Sequence, residues 1–86
     1  MSLNFGEKVR ILREEKNLNQ TEMGKLLNMT QRKISYIECN RYEPSIDDIK
    51  ALCEFFQVSS DYLIGIKKGL SYPNRLNDKS NSEMQP

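Results

Sequence analysis

"QTEMGKLLNMTQRKISYIE", residues 20–38, decides how this chain is read. Apolar residues recur at helical spacing on both sides of one short break: Met23, Leu26 and Leu27 before Asn28-Met29, Ile34 and Ile37 after it. The spacing predicts two short helices, over residues 20–27 and 31–38, joined by a tight turn. Gly24 lies inside the first, where glycine costs about 1 kcal/mol against alanine. That cost is tolerable where the second helix crosses too closely for a larger side chain. Leu27, Met29, Ile34 and Ile37 are then expected to wedge the pair at a fixed angle. The opposite side of the second helix carries Gln31, Arg32, Lys33 and Tyr36, with no acid before Glu38. A short helix that is apolar behind and lined with long hydrogen-bonding side chains in front implies a polar partner.

Outward from this unit the whole chain reads as helical. Positions 5, 9 and 12 precede it at helical spacing, and 46, 49, 52, 53, 56 and 63 follow it. No stretch alternates with period two long enough for a strand. Asn4 with Glu7, Asn19 with Glu22, and Ser45 with Asp48 each place a capping residue three positions before an acid. In that pattern each side chain accepts from the other's free backbone N–H. Thr30 and Ser59 are further candidate caps. Helices are therefore predicted near 5–16, 20–27, 31–38, 46–56 and 60–64, an all-α fold. Asn17, Asn28 and Asn40 each follow a predicted helix end, and asparagine is second to glycine in the left-handed conformation that closes a helix. Pro44 before Ser45 fits a turn into the fourth helix. Residues 1–66 read as one domain. The remainder, "KKGLSYPNRLNDKSNSEMQP" (67–86), is polar with Leu70, Tyr72 and Leu76 as scattered anchors. It reads either as a disordered tail or as an arm that contacts a second subunit.

The 86 residues leave room for one small domain, and an ordinary enzyme cleft is hard to build in so few. Hydrophobic content of 37% beside 29% charged residues fits a globular chain rather than a disordered one. No apolar run approaches the roughly 18 residues needed to span a bilayer. The start, "MSLNFGEKVR", lacks the apolar core of a signal peptide, so a cytoplasmic location is expected. There is no histidine, and the spacing of Cys39 and Cys53 matches no zinc motif. They read as free thiols, and no metal or cofactor site is expected. Without the commonest general base or any paired catalytic constellation, the chain is not read as an enzyme. Net charge is only +1, but it is unevenly spread: +3 over residues 1–41, −4 over 42–66 and +2 over 67–86. A polarised field of this kind says more about a charged partner than the total does.

The ordered set of features resembles the phage-repressor and Cro-like helix-turn-helix family, also called the xenobiotic-response-element type. The resemblance covers about residues 5–65 and runs through "LREEKNLNQTEMGKLLNMTQRKISYIECNRYEPSIDDIKALCEFFQVSSDYLIG". Its carriers are Arg13 before the "LNQ" start of the second helix, Gly24 in the family's small-residue slot, the third helix ending in Glu38, Pro44-Ser45, and the closing "DYLIG". Asn17, Asn28 and Asn40 depart from the family, which usually has glycine in these turns. The resemblance implies a compact five-helix lambda-repressor-like domain that binds double-stranded DNA, with the third helix in the major groove, which accepts one helix.

Roles then carry over residue by residue. Gln31 and Arg32 fall where the family reads base edges, glutamine suiting adenine and arginine guanine. Tyr36 matches another groove-facing position. Asn19, Gln20, Lys33 and Arg41 are expected at the DNA backbone, aided by the free N–H groups and partial positive charge at the start of the second helix. Arg13 and Glu38 are expected to pair as a structural lock. Plainer readings stand beside these. Gln31, Arg32 and Lys33 also fit a solvated face, Tyr36 packing against the fourth helix, and Gln20 an ordinary first turn. One such helix touches too few base pairs for useful specificity, so the family resemblance implies a homodimer on a near-palindromic operator, acting as a repressor. The candidate dimer surface is Tyr62, Leu63 and Ile64, extended by Leu70 and Tyr72; these residues could equally close the core. The competing reading is a protein-binding module, such as the antitoxin of a toxin–antitoxin pair, using the acidic stretch 42–61. No small-molecule ligand is expected.

Overall fold

Every helix begins at a side-chain oxygen. The computed structural model describes residues 3–65, which form α1 (Phe5–Glu15), α2 (Gln20–Leu27), α3 (Gln31–Glu38), α4 (Ile46–Phe56) and α5 (Ser60–Ile64). Asn4, Asn19, Thr30, Ser45 and Ser59 each accept from the backbone N–H three residues on. The boxes at Asn4/Glu7, Asn19/Glu22 and Ser45/Asp48 are complete, the acid accepting in return from the cap's own N–H. Helix ends agree with the sequence expectation, apart from α1 stopping one residue earlier.

Asn17, Asn28 and Asn40 all adopt the left-handed conformation, with φ of 58°, 59° and 59°. Gln57 does the same at φ 58°, after α4, and nothing in its residue type announces it. Its amide Nε2 donates to the Glu54 carbonyl at 2.6 Å, which satisfies one of the carbonyls left free at the helix end. Asn40 does more than turn the chain. Its Oδ1 accepts from the Gly6 N–H at 3.0 Å and its Nδ2 donates to Asn4 Oδ1 at 2.9 Å, so the end of α3 is tied to the start of α1. Gly6 permits this contact: a Cβ there would collide with the carbonyl of Glu38 and lie 2.6 Å from that of Ile37.

Helix α3 is central. Both α1 and α2 pack on it, and α5 closes against α1 and α4. Val9, Met23, Ile34, Ile37, Leu52 and Leu63 are fully buried, with Phe56 nearly so; Leu27 and Met29 pack at the margin. Two of the helically spaced apolar positions lie outside it. Leu26 is 62% exposed and Ile46 77%. On α2 the buried arc runs through Met23, Leu27 and Gly24, which faces the turn, and this rotates Leu26 away from the core. On α4 the inward row is Asp48, Leu52 and Phe56, so Ile46 in the first turn points outward. Among the described residues no helix is long and apolar enough to cross a membrane.

Candidate nucleic-acid interface

The turn between α2 and α3 is set by backbone geometry. Asn28 in the left-handed region lets the Met29 N–H donate to the Gly24 carbonyl at 2.7 Å. A Cβ on Gly24 would lie 2.5 Å from the Met29 carbonyl oxygen. The glycine is therefore required by the turn itself, not by the crossing of α3 as the sequence implied. With the turn drawn in, Ile34 and Ile37 enter the core, and the first turn of α3 projects from the surface. Gln31 and Arg32 are exposed there, and Tyr36 is 42% exposed one turn on, rather than packed away against α4.

Behind this face runs a continuous hydrogen-bonded chain. Arg13 and Glu38 form a two-pronged pair, Nε to Oε2 at 2.6 Å and Nη2 to Oε1 at 3.0 Å, with side chains only 11% and 3% exposed. Arg13 also donates from Nη1 to the Leu18 carbonyl at 2.8 Å, joining α1, the α1–α2 turn and α3. The hydrogen bond to Glu38 outweighs burial and raises the Arg13 pKa above its usual value. Glu38 Oε1 further accepts from Gln20 Nε2 at 3.1 Å, and Gln20 Oε1 accepts from Gln31 Nε2 at 2.6 Å. The direction of this chain is dictated chemically. An ionised carboxylate only accepts, so Gln20 must turn its NH₂ inward and its carbonyl outward, and Gln31 must donate. Gln31 is left with one N–H and its Oε1 facing solvent.

A second ion pair holds the other side of α3. Lys33 Nζ donates to Asp48 Oδ1 at 2.9 Å, with side chains 30% and 10% exposed, and sits 5.2 Å from the centre of the Tyr42 ring. The Tyr42 hydroxyl donates to Asp48 Oδ2 at 3.2 Å, and the Ser45 N–H donates to the same oxygen at 3.0 Å. Burial by itself would raise the Asp48 pKa; the hydrogen bonds from Lys33 and Ser45 outweigh it and hold the carboxyl below its usual value. Lys33 is raised in turn, chiefly by its hydrogen bond to Asp48. The ammonium expected to meet a phosphate is thus committed within the chain. Sequence reasoning missed Asp48 and Tyr42 as its partners; the pairing of a basic first turn with an acidic one 15 residues on was the available signal.

The remaining expected positions separate. Asn19 is spent on the α2 cap, where its Oδ1 accepts from the Glu22 N–H at 2.7 Å. Arg41 is exposed just past α3. Of the dimer candidates, Leu63 is fully buried and closes the core, the second of the two roles its sequence left open. Tyr62 and Ile64 are each 49% exposed, while Leu70 and Tyr72 lie outside the described residues. Tyr62 is fixed by Lys8, whose Nζ donates to its carbonyl at 2.7 Å. Among the described residues no cluster could hold a metal ion, and both cysteines are free.

A family described as "Helix-turn-helix" matches residues 9–63. The chain is 32% identical over 62 residues to the HTH-type transcriptional activator BcrR of Enterococcus faecalis, a span of 72% of this chain but only 30% of that protein. Among solved structures it is similar to the P22 c2 repressor in complex with the synthetic operator 9T, with a TM-score of 0.69 and 30% identity over 73% of this chain and 96% of that one. The solution structure of the P22 c2 DNA-binding domain is also similar, with a TM-score of 0.67 and 32% identity over 86% of this chain and 96% of that one. A transcriptional regulator from Listeria innocua shares the fold at a TM-score of 0.70 and 24% identity, over 99% of this chain and 86% of that one.

Proposed function

This chain belongs to the helix-turn-helix family, and on that premise we propose that it is a sequence-specific regulator of transcription that lays α3 in the major groove of double-stranded DNA. The fold is that of helix-turn-helix transcriptional regulators. The observation that carries the reading is the state of Gln31. One amide N–H is spent on Gln20, so the side chain offers an acceptor and a single donor outward. Adenine presents the complementary pair, its N6 amino group and N7, in the major groove. Arg32 beside it carries the donors suited to guanine, and Tyr36 extends the row by one turn. Arg41 and the exposed first turn of α2 flank this row as backbone contacts. In this arrangement Gln20 orients Gln31 and in addition stands near the phosphate at the α2 N-terminus.

The active species in this reading is a homodimer on a near-palindrome, with Tyr62 and Ile64 as the exposed apolar residues of α5 available to a second copy. Repression by occupying promoter DNA is the sign of control we assign. It is supported by likeness to the P22 c2 repressor, over a larger share of the partner chain than the likeness to the Enterococcus activator.

The reading is tested by selecting duplexes from random DNA with wild type and with Gln31→Ala/Arg32→Ala, at one fixed salt concentration because phosphate affinity depends steeply on salt. Wild type should enrich a two-fold symmetric site, and the double variant should lose it while keeping its helical circular dichroism. Enrichment of the same site by both proteins would remove α3 from base reading. Enrichment by neither would direct attention to a protein partner.

A further inference from the structure

Lys33 stands in the first turn of α3, beside Gln31 and Arg32, yet it faces a carboxylate of its own chain. We propose that Asp48 is a positioning residue that withholds the Lys33 ammonium from DNA phosphate, so that phosphate contacts make up a smaller share of binding and its salt dependence is shallower. The inference rests on the DNA-binding reading above and adds an internal competitor to it.

Three features favour the internal partner. The Lys33–Asp48 contact is short, at 2.9 Å, and its carboxylate side chain is only 10% exposed. Asp48 is held in place independently of Lys33, by the Ser45 N–H and the Tyr42 hydroxyl on its other oxygen, so it does not follow the lysine outward. The Tyr42 ring lies 5.2 Å from the ammonium, adding a cation–π attraction. Moving Lys33 to a phosphate would forfeit the ion pair and the cation–π contact and leave an almost buried carboxylate with neutral partners only. The Ser45 contact is one half of the α4 capping box, with Asp48 as the third residue of the helix, which fixes the carboxylate's position before any lysine arrives.

The consequence concerns affinity and its dependence on salt. Binding to any duplex, whatever its sequence, is driven by cations that displace counterions from phosphates. A lysine on the leading turn of a recognition helix would add to binding at every site, matched or not. Its retention by Asp48 lowers binding at matched and unmatched sites alike, and Gln31 and Arg32 are unaffected because their contacts run through Gln20 and solvent.

The test is the slope of log affinity against log salt on one selected site and on a duplex lacking it, for the intact chain, Asp48→Asn, Lys33→Met and the double variant. Asparagine at 48 keeps an oxygen for the α4 cap, and circular dichroism confirms folding in each case. Asp48→Asn should steepen the slope by about 0.9 per bound protomer, so that affinity falls about 3.5-fold further between 50 and 200 mM salt. Its affinity at low salt should rise on both duplexes alike, with their ratio unchanged. Lys33→Met should keep the wild-type slope, and the double variant should return to it, since the lysine that gained a phosphate is then gone. Flattening of the slope by about 0.9 in Lys33→Met alone would show Lys33 on phosphate in the wild type and overturn the proposal. Persistence of the steeper slope in the double variant would also overturn it, by tracing the effect to the lost carboxylate's field. Failure of wild type to bind any duplex would instead remove the DNA-binding reading, and the proposal with it.

Discussion

Helix α3 is held by two ion pairs that differ in kind. At its C-terminal end, Arg13 and Glu38 meet through two hydrogen bonds with both side chains almost wholly buried. At its N-terminal end, Lys33 meets Asp48 through one, with the lysine 30% exposed. The first pair joins three segments of chain and has nowhere else to go. A guanidinium is planar and forked, and here all three directions of donation are used, on Glu38 twice and on the Leu18 carbonyl once. The second pair is a flexible, compact ammonium on a fixed carboxylate. The difference is that burial of both partners makes the first pair a structural joint, whereas in the second a partly exposed lysine is held by a carboxylate that other groups fix in place.

The largest effect should come from breaking the buried pair. Glu38→Ala strands the Arg13 charge and releases Gln20, and it should destabilise the fold by about 3–5 kcal/mol, read by chemical denaturation. A loss below about 1 kcal/mol would place Glu38 with the exposed pairs and erase the contrast. Replacing both partners, as Arg13→Met/Glu38→Leu, should bring stability back to within about 2 kcal/mol of wild type, because no buried charge is then left alone. That variant separates folding from recognition: stable but without the carboxylate that orients Gln20, it should discriminate poorly between DNA sites.

Lys33→Met should cost about 1–3 kcal/mol, less than breaking the buried pair because Asp48 keeps the Ser45 and Tyr42 hydrogen bonds. Its signature lies in pH. The Asp48 carboxyl is depressed in the folded state, so its contribution is present above the unfolded value and is lost as pH falls through the lower folded one. Removing Lys33 removes the main lowering influence, and the acid unfolding limb should move to higher pH. An unmoved limb would mean that Ser45 and Tyr42 hold the carboxylate unaided. At the other extreme, Lys33 is raised in the fold, so wild type keeps its contribution below the ordinary lysine range and loses it as pH rises through the raised value. Lys33→Met should lack that alkaline step.

What the sequence disclosed follows the same division between local and distant. Capping boxes and left-handed asparagines lie within a few residues of the groups they satisfy, so all five helices could be placed from their ends. The back of α3 was legible from Ile34 and Ile37 alone. Gln57 was not, because a glutamine has no intrinsic preference for the left-handed region and reaches it only as α4 turns into α5. Gln20 on Glu38 and Lys33 on Asp48 connect positions 18 and 15 apart through tertiary geometry. Residue type gave each a surface role, and packing gave each a partner. Leu63 was left open for the same reason: the pattern "YLI" did not say which residue of a five-residue helix turns inward, and the core took the middle one.

The most direct test of base reading by α3 is the coupling between Gln31 and a single base pair. Affinities would be measured for wild type and Gln31→Ala on the selected site and on sites with each A·T pair replaced in turn. Wild type should lose about 1–3 kcal/mol at one A·T pair per half-site, and Gln31→Ala should lose almost nothing further at that same pair. Equal losses for both proteins at every pair would contradict the account and leave Gln31 as a solvated side chain on a helix that does not read sequence.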